Sequence, residues 1–209
     1  MKLPTLEHER ELWMAGYRSI AGLDEVGRGA WAGPVVAAAV ILPVDRSDLL
    51  AVLGAVNDSK KLTPRRREAL LPLICNTALA IGIGFASSER IDACGIVPAT
   101  RTAMLMAIQN LSIWPDYLLI DALRLPDAGL PQCGLVHGDA RVLSIASASI
   151  VAKVHRDRWM AELDQESPGY GFSSHKGYGT PRHRAALQLL GPCPLHRRSF
   201  APLRSMPQS

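Results

Sequence analysis

The chain has 209 residues, 48% of them hydrophobic and 20% charged, so it can build one substantial core and is not expected to be disordered. The formal net charge of +4 permits attraction to a polyanion without requiring it. The longest uncharged stretch, residues 29–44, carries Pro34 and Pro43 and is too short to span a bilayer. Residues 1–13 are interrupted by Glu7, Glu9, Arg10 and Glu11, so they lack the apolar core of a secretory signal, and a cytoplasmic protein without membrane association is expected.

Apolar segments rich in β-branched residues at 20–23 and 35–42, separated by a glycine-punctuated stretch, predict an early hairpin. Thr63 and Pro64 can cap and open a helix that continues to about Cys75, and residues 79–86 read as a third strand. Ser87 or Ser88 can cap a short helix over 89–93, and Pro98 can open another running to about Leu111. Residues 117–120 form a short buried strand and 134–136 a candidate fifth. The alanine-rich segment from Ser144 to about Leu163 is helix-compatible, and a last helix starts after Thr180 and Pro181 and ends near Gly191. This order predicts a single α/β domain over residues 1–209, with a mixed sheet and a helical part from about residue 140 onward.

The scattered Cys75, Cys94, Cys133 and Cys193 contain no C-x-x-C pair, which suits reduced thiols acting as small buried apolar residues. Basic residues gather in three places: Lys60 and Lys61 with residues 65–67, residues 153–158, and Arg182 and Arg184 with Arg197 and Arg198. They make a phosphate-binding track only if the fold brings them together; otherwise each is a solvated face.

Chemistry is concentrated where strands end. Asp24 and Glu25 follow the apolar run 20–23 and precede Gly27, Arg28 and Gly29. Two acids at a strand end can bind a hard divalent cation. Neighbouring strand residues face opposite sides, however, so they share a site only where the pleat breaks. A solvated turn is the alternative. Asp121 ends a second apolar run, and Asp139 follows Gly138 in a loop; by residue type alone these two also read as capping or loop acids.

The same acids lie within a series of segments that resembles the ribonuclease HII family. The series includes Leu23-Asp24-Glu25-Val26-Gly27-Arg28-Gly29, Asp58-Ser59-Lys60-Lys61-Leu62, Gly138-Asp139, Ser144 through Val154, His175-Lys176-Gly177-Tyr178, and Leu195-His196-Arg197-Arg198-Ser199-Phe200. The resemblance covers most of the chain. It implies a ribonuclease-H-like fold, with a central mixed five-stranded sheet flanked by helices and a helical C-terminal extension. It also implies a four-carboxylate metal site of Asp24, Glu25, Asp121 and Asp139 that takes Mn²⁺ or Mg²⁺, in all two divalent ions.

By the same resemblance, the enzyme hydrolyses the RNA strand of RNA-DNA hybrids and cuts 5′ of single ribonucleotides in duplex DNA. The ends left are 5′-phosphate and 3′-hydroxyl, a chemistry that serves replication and repair. The turn of Gly27, Arg28 and Gly29 reads the ribose, and Tyr178 packs on the neighbouring sugar. Lys60, Lys61 and Lys153, with Lys176 and Arg198, are candidate phosphate contacts, and a monomer is implied.

Asp157 is expected to support the site through ion pairing, and His155, His175, His183 and His196 to lie on the surface or make hydrogen bonds. The chain departs from the usual family pattern at Val26, Ala30, His155 and Gly179, none of them a predicted metal ligand. Another metal-dependent nuclease of the same fold, such as a junction resolvase, and a nucleic-acid-binding protein without catalysis are the competing readings.

Overall fold

In the computed structural model, which describes residues 3–206, helix α1 (Glu7–Met14) precedes strands β1 (Ile20–Val26) and β2 (Val35–Ile41). Helices α2 (Leu49–Leu53) and α3 (Pro64–Thr77) lead to β3 (Ala80–Ala86), and α4 (Ser88–Cys94) and α5 (Ile96–Gln109) lead to β4 (Tyr117–Asp121) and β5 (Gln132–Leu135). The C-terminal part contains α6 (Leu143–Glu166), the single turn α7 (Phe172–His175) and α8 (Pro181–Leu190).

The strands form one five-stranded sheet in the order β3-β2-β1-β4-β5. β1-β2 and β2-β3 are antiparallel, whereas β1-β4 and β4-β5 are parallel. The expected hairpin and mixed sheet are therefore present. β2 is buried along its whole length, which is why its sequence is a continuous run of valine, alanine and isoleucine.

Each face of the sheet carries a core. Leu23, Ala37 and Ala39 pack with Ala103, Met104 and Ala107 of α5 on one face. Ala38 and Val40 pack with Ile74 of α3 and with Ala146, Ile150 and Val151 of α6 on the other. A Cβ at Gly22 would lie far inside contact distance of the Ser144 and Ile145 backbone, so glycine lets the start of α6 sit directly on β1. Gly82 and Gly84 of β3 perform the same service for the α5 backbone.

Several elements differ from the sequence reading. Helix α1 was not anticipated because its eight residues include three glutamates and bury little apolar surface; its Glu9 is fully buried instead, accepting from the Ser144 backbone N–H at 2.9 Å. A carboxylate there offsets the positive end of α6. Gly95, not Pro98, precedes the first residue of α5, and Pro98 falls in the first turn, where no backbone N–H is needed. β5 lies two residues earlier at its start than expected. Cys75 is exposed and the other three cysteines are half-buried, all with free thiols, so they are not the buried apolar residues expected. Among the described residues no helix is long and apolar enough to cross a membrane.

Candidate active site

β1 and β4 are parallel neighbours, with Leu23 opposite Ile120 as the last paired residues. Asp24 and Asp121 follow one step further at the same end of the sheet, where open α/β sheets bind ligands. β1 continues without a break to Val26, pairing Asp24 with Ala38 and Glu25 with Ala37. The expected interruption of the pleat is absent; Glu25 nevertheless reaches the same open end of the sheet, close enough to Asp24 and Asp121 for their charges to interact and in one cleft with Ser149 and Lys153.

Asp139 is delivered by the loop after β5. It sits on a single helical turn, Gly138–Ala140, whose Gly138 N–H donates to Asp121 Oδ1 at 2.8 Å. Ala122 and His137, adjoining Asp121 and Gly138 respectively, both adopt positive φ (52° and 56°). Such conformations in non-glycine residues cost about 1–3 kcal/mol each and concentrate at functional sites. Carboxylate oxygens of Asp24, Asp121 and Asp139 all lie within 4.8 Å of one another. Asp24 and Asp139 are each only 4% exposed.

Glu25 stands outside that tight trio. Its Oε1 accepts from Arg28 Nη1 at 3.0 Å, while its Oε2 is buried with no hydrogen-bond partner. Burial, then repulsion from Glu25 and Asp121, pushes the Asp24 carboxyl well above the usual carboxylate range. Burial also raises Glu25 against the pull of Arg28, and burial with the neighbouring Asp58 and Asp121 raises Asp139. Lys60 Nζ lies 3.6 Å from Asp139 Oδ2 with its side chain 78% exposed, so it offers little compensation. A buried orphan oxygen beside three converging, mutually repelling oxygens is a donor set that fits hard divalent cations.

A cleft of about 470 Å³ opens beside the acids, lined by Glu25, Gly27, Arg28, Gly29, Lys60, Ser149, Lys153 and Tyr178 among others. Gly27 has φ of 92°, and a Cβ there would collide with the buried Arg156 guanidinium, so two independent constraints require glycine. Arg156 donates to the carbonyls of Pro34, Ala32 and Lys176, and Arg197 donates to those of Gly33 and Arg28. Arg197 thus holds the turn through the Arg28 carbonyl, and Arg156 ties residues 32 and 34 to Lys176. Burial pushes Arg197 down to about 9.

Of the predicted residues, the fold brings Asp24, Asp121 and Asp139 together, places Glu25 beside them, and puts Gly27, Arg28, Gly29, Lys60, Lys153 and Tyr178 around one cleft. Lys61 is outside the cleft lining and faces Asp58 at 3.5 Å. Arg198 instead donates to the Pro192 carbonyl and Arg197 is fully buried, so these two members of the third basic group are spent inside the fold, while Arg182 and Arg184 are exposed. Lys153 Nζ pairs with Asp157 at 2.7 Å and Arg67 with the same carboxylate at 3.6 Å, in keeping with ion pairing by Asp157.

His175, His183 and His196 are buried and hydrogen-bonded, the second of the two roles expected, and His155 is exposed. A side chain at Gly179 would overlap the Trp31 ring, so the departure at 179 is matched by a local tryptophan. Sequence reasoning missed Asp58 as a neighbour of Asp139, and missed Arg156 and Arg197 as supports. The only signal for Asp58 and Arg197 was their place inside the quoted motifs, and for Arg156 its place in the basic stretch 153–158.

Burial and mutual repulsion raise three of these carboxyls in the metal-free site, so activity should rise with pH on its acid side when Mn²⁺ is subsaturating. Protonated carboxyls surrender metal affinity, so log kcat/KM at a fixed, subsaturating Mn²⁺ concentration should climb through a region displaced above ~4. A pH–rate profile checks this; an acid limb at the ordinary carboxylate value would count against it.

A mixed sheet with carboxylates clustered at the ends of adjacent parallel strands, facing a cleft with basic walls, defines the class: a metal-dependent nuclease with a ribonuclease-H-like fold. The family model for ribonuclease HII matches residues 21–203. The ribonuclease HII of Dehalococcoides mccartyi is 52% identical over 97% of this chain and 95% of its own. That of Chloroflexus aurantiacus is 54% identical over 96% and 95%. The crystal structure of ribonuclease H2 from Pyrococcus horikoshii superposes with a TM-score of 0.75 at 26% identity, covering 90% of this chain and 96% of that one. The chain belongs to the ribonuclease HII family and is an RNase H, a nuclease acting on RNA-DNA hybrids.

Proposed function

We propose that this enzyme, besides degrading the RNA strand of hybrids, cuts duplex DNA on the 5′ side of a single embedded ribonucleotide. The products are a 3′-hydroxyl and a 5′-phosphate, and the biological task is ribonucleotide removal during replication and repair. The observation that carries the reading is that Glu25, beside the three-acid cluster, lines one cleft with the Gly27-Arg28-Gly29 turn and Tyr178.

Asp24, Glu25, Asp121 and Asp139 would hold two divalent ions, Mn²⁺ or Mg²⁺. Bound there, such ions supply activation of a water nucleophile and neutralisation of charge on the leaving oxygen. Gly138 N–H fixes the Asp121 carboxylate, and Arg28 fixes Glu25, so the acids are held before substrate arrives.

The glycine turn lets backbone approach the ribose closely, and the 2′-hydroxyl, as both donor and acceptor, distinguishes that sugar from deoxyribose. The exposed Gly29 has no neighbour where a side chain would stand, leaving room for the substrate's backbone. Tyr178 is half-buried against the Arg156 guanidinium, 5.6 Å from the ring centroid, and offers its ring to the adjoining deoxyribose. Lys60 and Lys153, which line the cleft, and Lys61 next in sequence would contact phosphates, which positions a duplex without reading its bases.

The test compares three substrates: a duplex with one ribonucleotide, a uniform hybrid and an all-DNA branched junction. Cleavage of the first two and not the third is expected with Mn²⁺ or Mg²⁺. Exclusive cleavage of the branched junction would reject the proposal.

A further inference from the structure

A chain of side chains behind the cleft joins its two proposed sugar-reading elements. His183 Nδ1 lies 3.0 Å from the Tyr178 carbonyl, which can only accept, so Nδ1 carries the proton. The unprotonated His183 Nε2 then accepts from His196 Nε2 at 3.0 Å. His196 Nδ1 in turn accepts from the Cys193 backbone N–H at 3.0 Å. This tautomer assignment satisfies these three bonds with both rings neutral, and it leaves His196 Nδ1 and the Cys193 carbonyl, 3.3 Å apart, as two acceptors. An extra proton on either ring would set two donors against each other.

The surroundings favour that state. His183 and His196 are 0% and 1% exposed. Burial lowers both imidazoles, with His183 adding to the effect on His196, which falls to about 4. His175 stacks on His183 with ring centroids 4.4 Å apart, its Nδ1 accepting from Gly177 N–H at 3.2 Å. The next residue along, Arg197, donates Nη1 to the Arg28 carbonyl at 2.9 Å. A continuous path therefore runs from Tyr178 through His183, His196 and Arg197 to the Gly27-Arg28-Gly29 turn.

We propose that His183 and His196 are positioning residues that set Tyr178 at a fixed separation from the ribose-reading turn, and so determine preference for a lone ribonucleotide over a uniform hybrid. This rests on the reading of Tyr178 and the turn given above. Neither histidine touches substrate or metal ligands; they act through the Tyr178 backbone.

The experiment measures kcat and KM on the singly substituted duplex and on a uniform hybrid, with melting temperature followed in parallel. His183→Leu should lower kcat/KM on the singly substituted duplex by about tenfold relative to the hybrid. His183→Asn keeps an N–H donor near Nδ1 and should restore most of that ratio. In a Tyr178→Ala background, His183→Leu should change the ratio by less than about twofold, since coupled residues are not additive.

His196→Leu serves as a second variant should His183→Leu not fold, and it should shift the ratio in the same direction. Equal losses on both substrates, or full additivity with Tyr178→Ala, would overturn the proposal. A parent enzyme that cleaves hybrid but not the singly substituted duplex would instead reject the reading on which it rests.

Discussion

Asp24→Asn is expected to lower kcat/KM by at least about 10³-fold, because one metal ligand contributes several kcal/mol of transition-state stabilisation. In metal-free protein the same change should raise stability at neutral pH. The Asp24 carboxyl is buried beside Glu25 and Asp121 and its proton affinity is raised on folding. A group of this kind contributes stability that is fully present below its unfolded value, near ~4, and is lost as pH rises through the folded value. Asparagine does not ionise, so the variant's melting advantage should open as pH rises and close on acidification. Added Mn²⁺ should reverse it, since the parent then binds the ion more tightly. Thermal melts with and without Mn²⁺, beside the cleavage assay, check both halves. A variant that keeps full activity, or melts below the metal-free parent at neutral pH, would contradict the assignment.

Gly22→Ala should have the largest effect on folding. The added Cβ would meet the backbone of Ser144 and Ile145, which cannot rotate away, so α6 must move off β1. Overpacking of this sort costs about 1–3 kcal/mol or more, a large share of a total stability of about 5–15 kcal/mol. A melting temperature lower by roughly 5–10 °C is expected for a chain of this size. α6 also carries Ser149 and Lys153, which line the cleft, so divalent-ion affinity should fall in the folded fraction. Calorimetric melting and Mn²⁺ titration measure these; a variant that melts with the parent would show that α6 does not need this close approach.

How far the amino-acid sequence revealed this depends on where each contact lies along the chain. β1, β2 and β4 were readable because each is a run of apolar residues with local stops. Asp24 and Asp121 stood out because each follows such a run. Asp139 ends no apolar run; it lies in the loop after β5 and joins the others through the Gly138 N–H to Asp121, a contact between distant residues that periodicity does not show. By residue type it was a weak candidate, and the family resemblance singled it out.

The same holds for the supports. Arg156 and Arg197 read as part of a basic surface, yet each is fully buried and spent on backbone carbonyls. Composition suggested a track of positive charge, whereas tertiary structure turned these two arginines inward to hold the chain behind the cleft. Glu9 entered the sequence reading only as a charge against a secretory signal, and in the fold it meets α6. Gly179 looked like an isolated departure until Trp31 was seen in the space beside it.

The most direct test is to map both ends of the product from a duplex with a single ribonucleotide, cleaved with Mn²⁺. Hydrolysis on the 5′ side, directed by the turn and Tyr178, should leave a 3′-hydroxyl on the preceding deoxynucleotide and a 5′-phosphate on the ribonucleotide. A cut on the 3′ side of the ribonucleotide, or a 2′,3′-cyclic phosphate end showing attack by the 2′-hydroxyl instead of water, would contradict it.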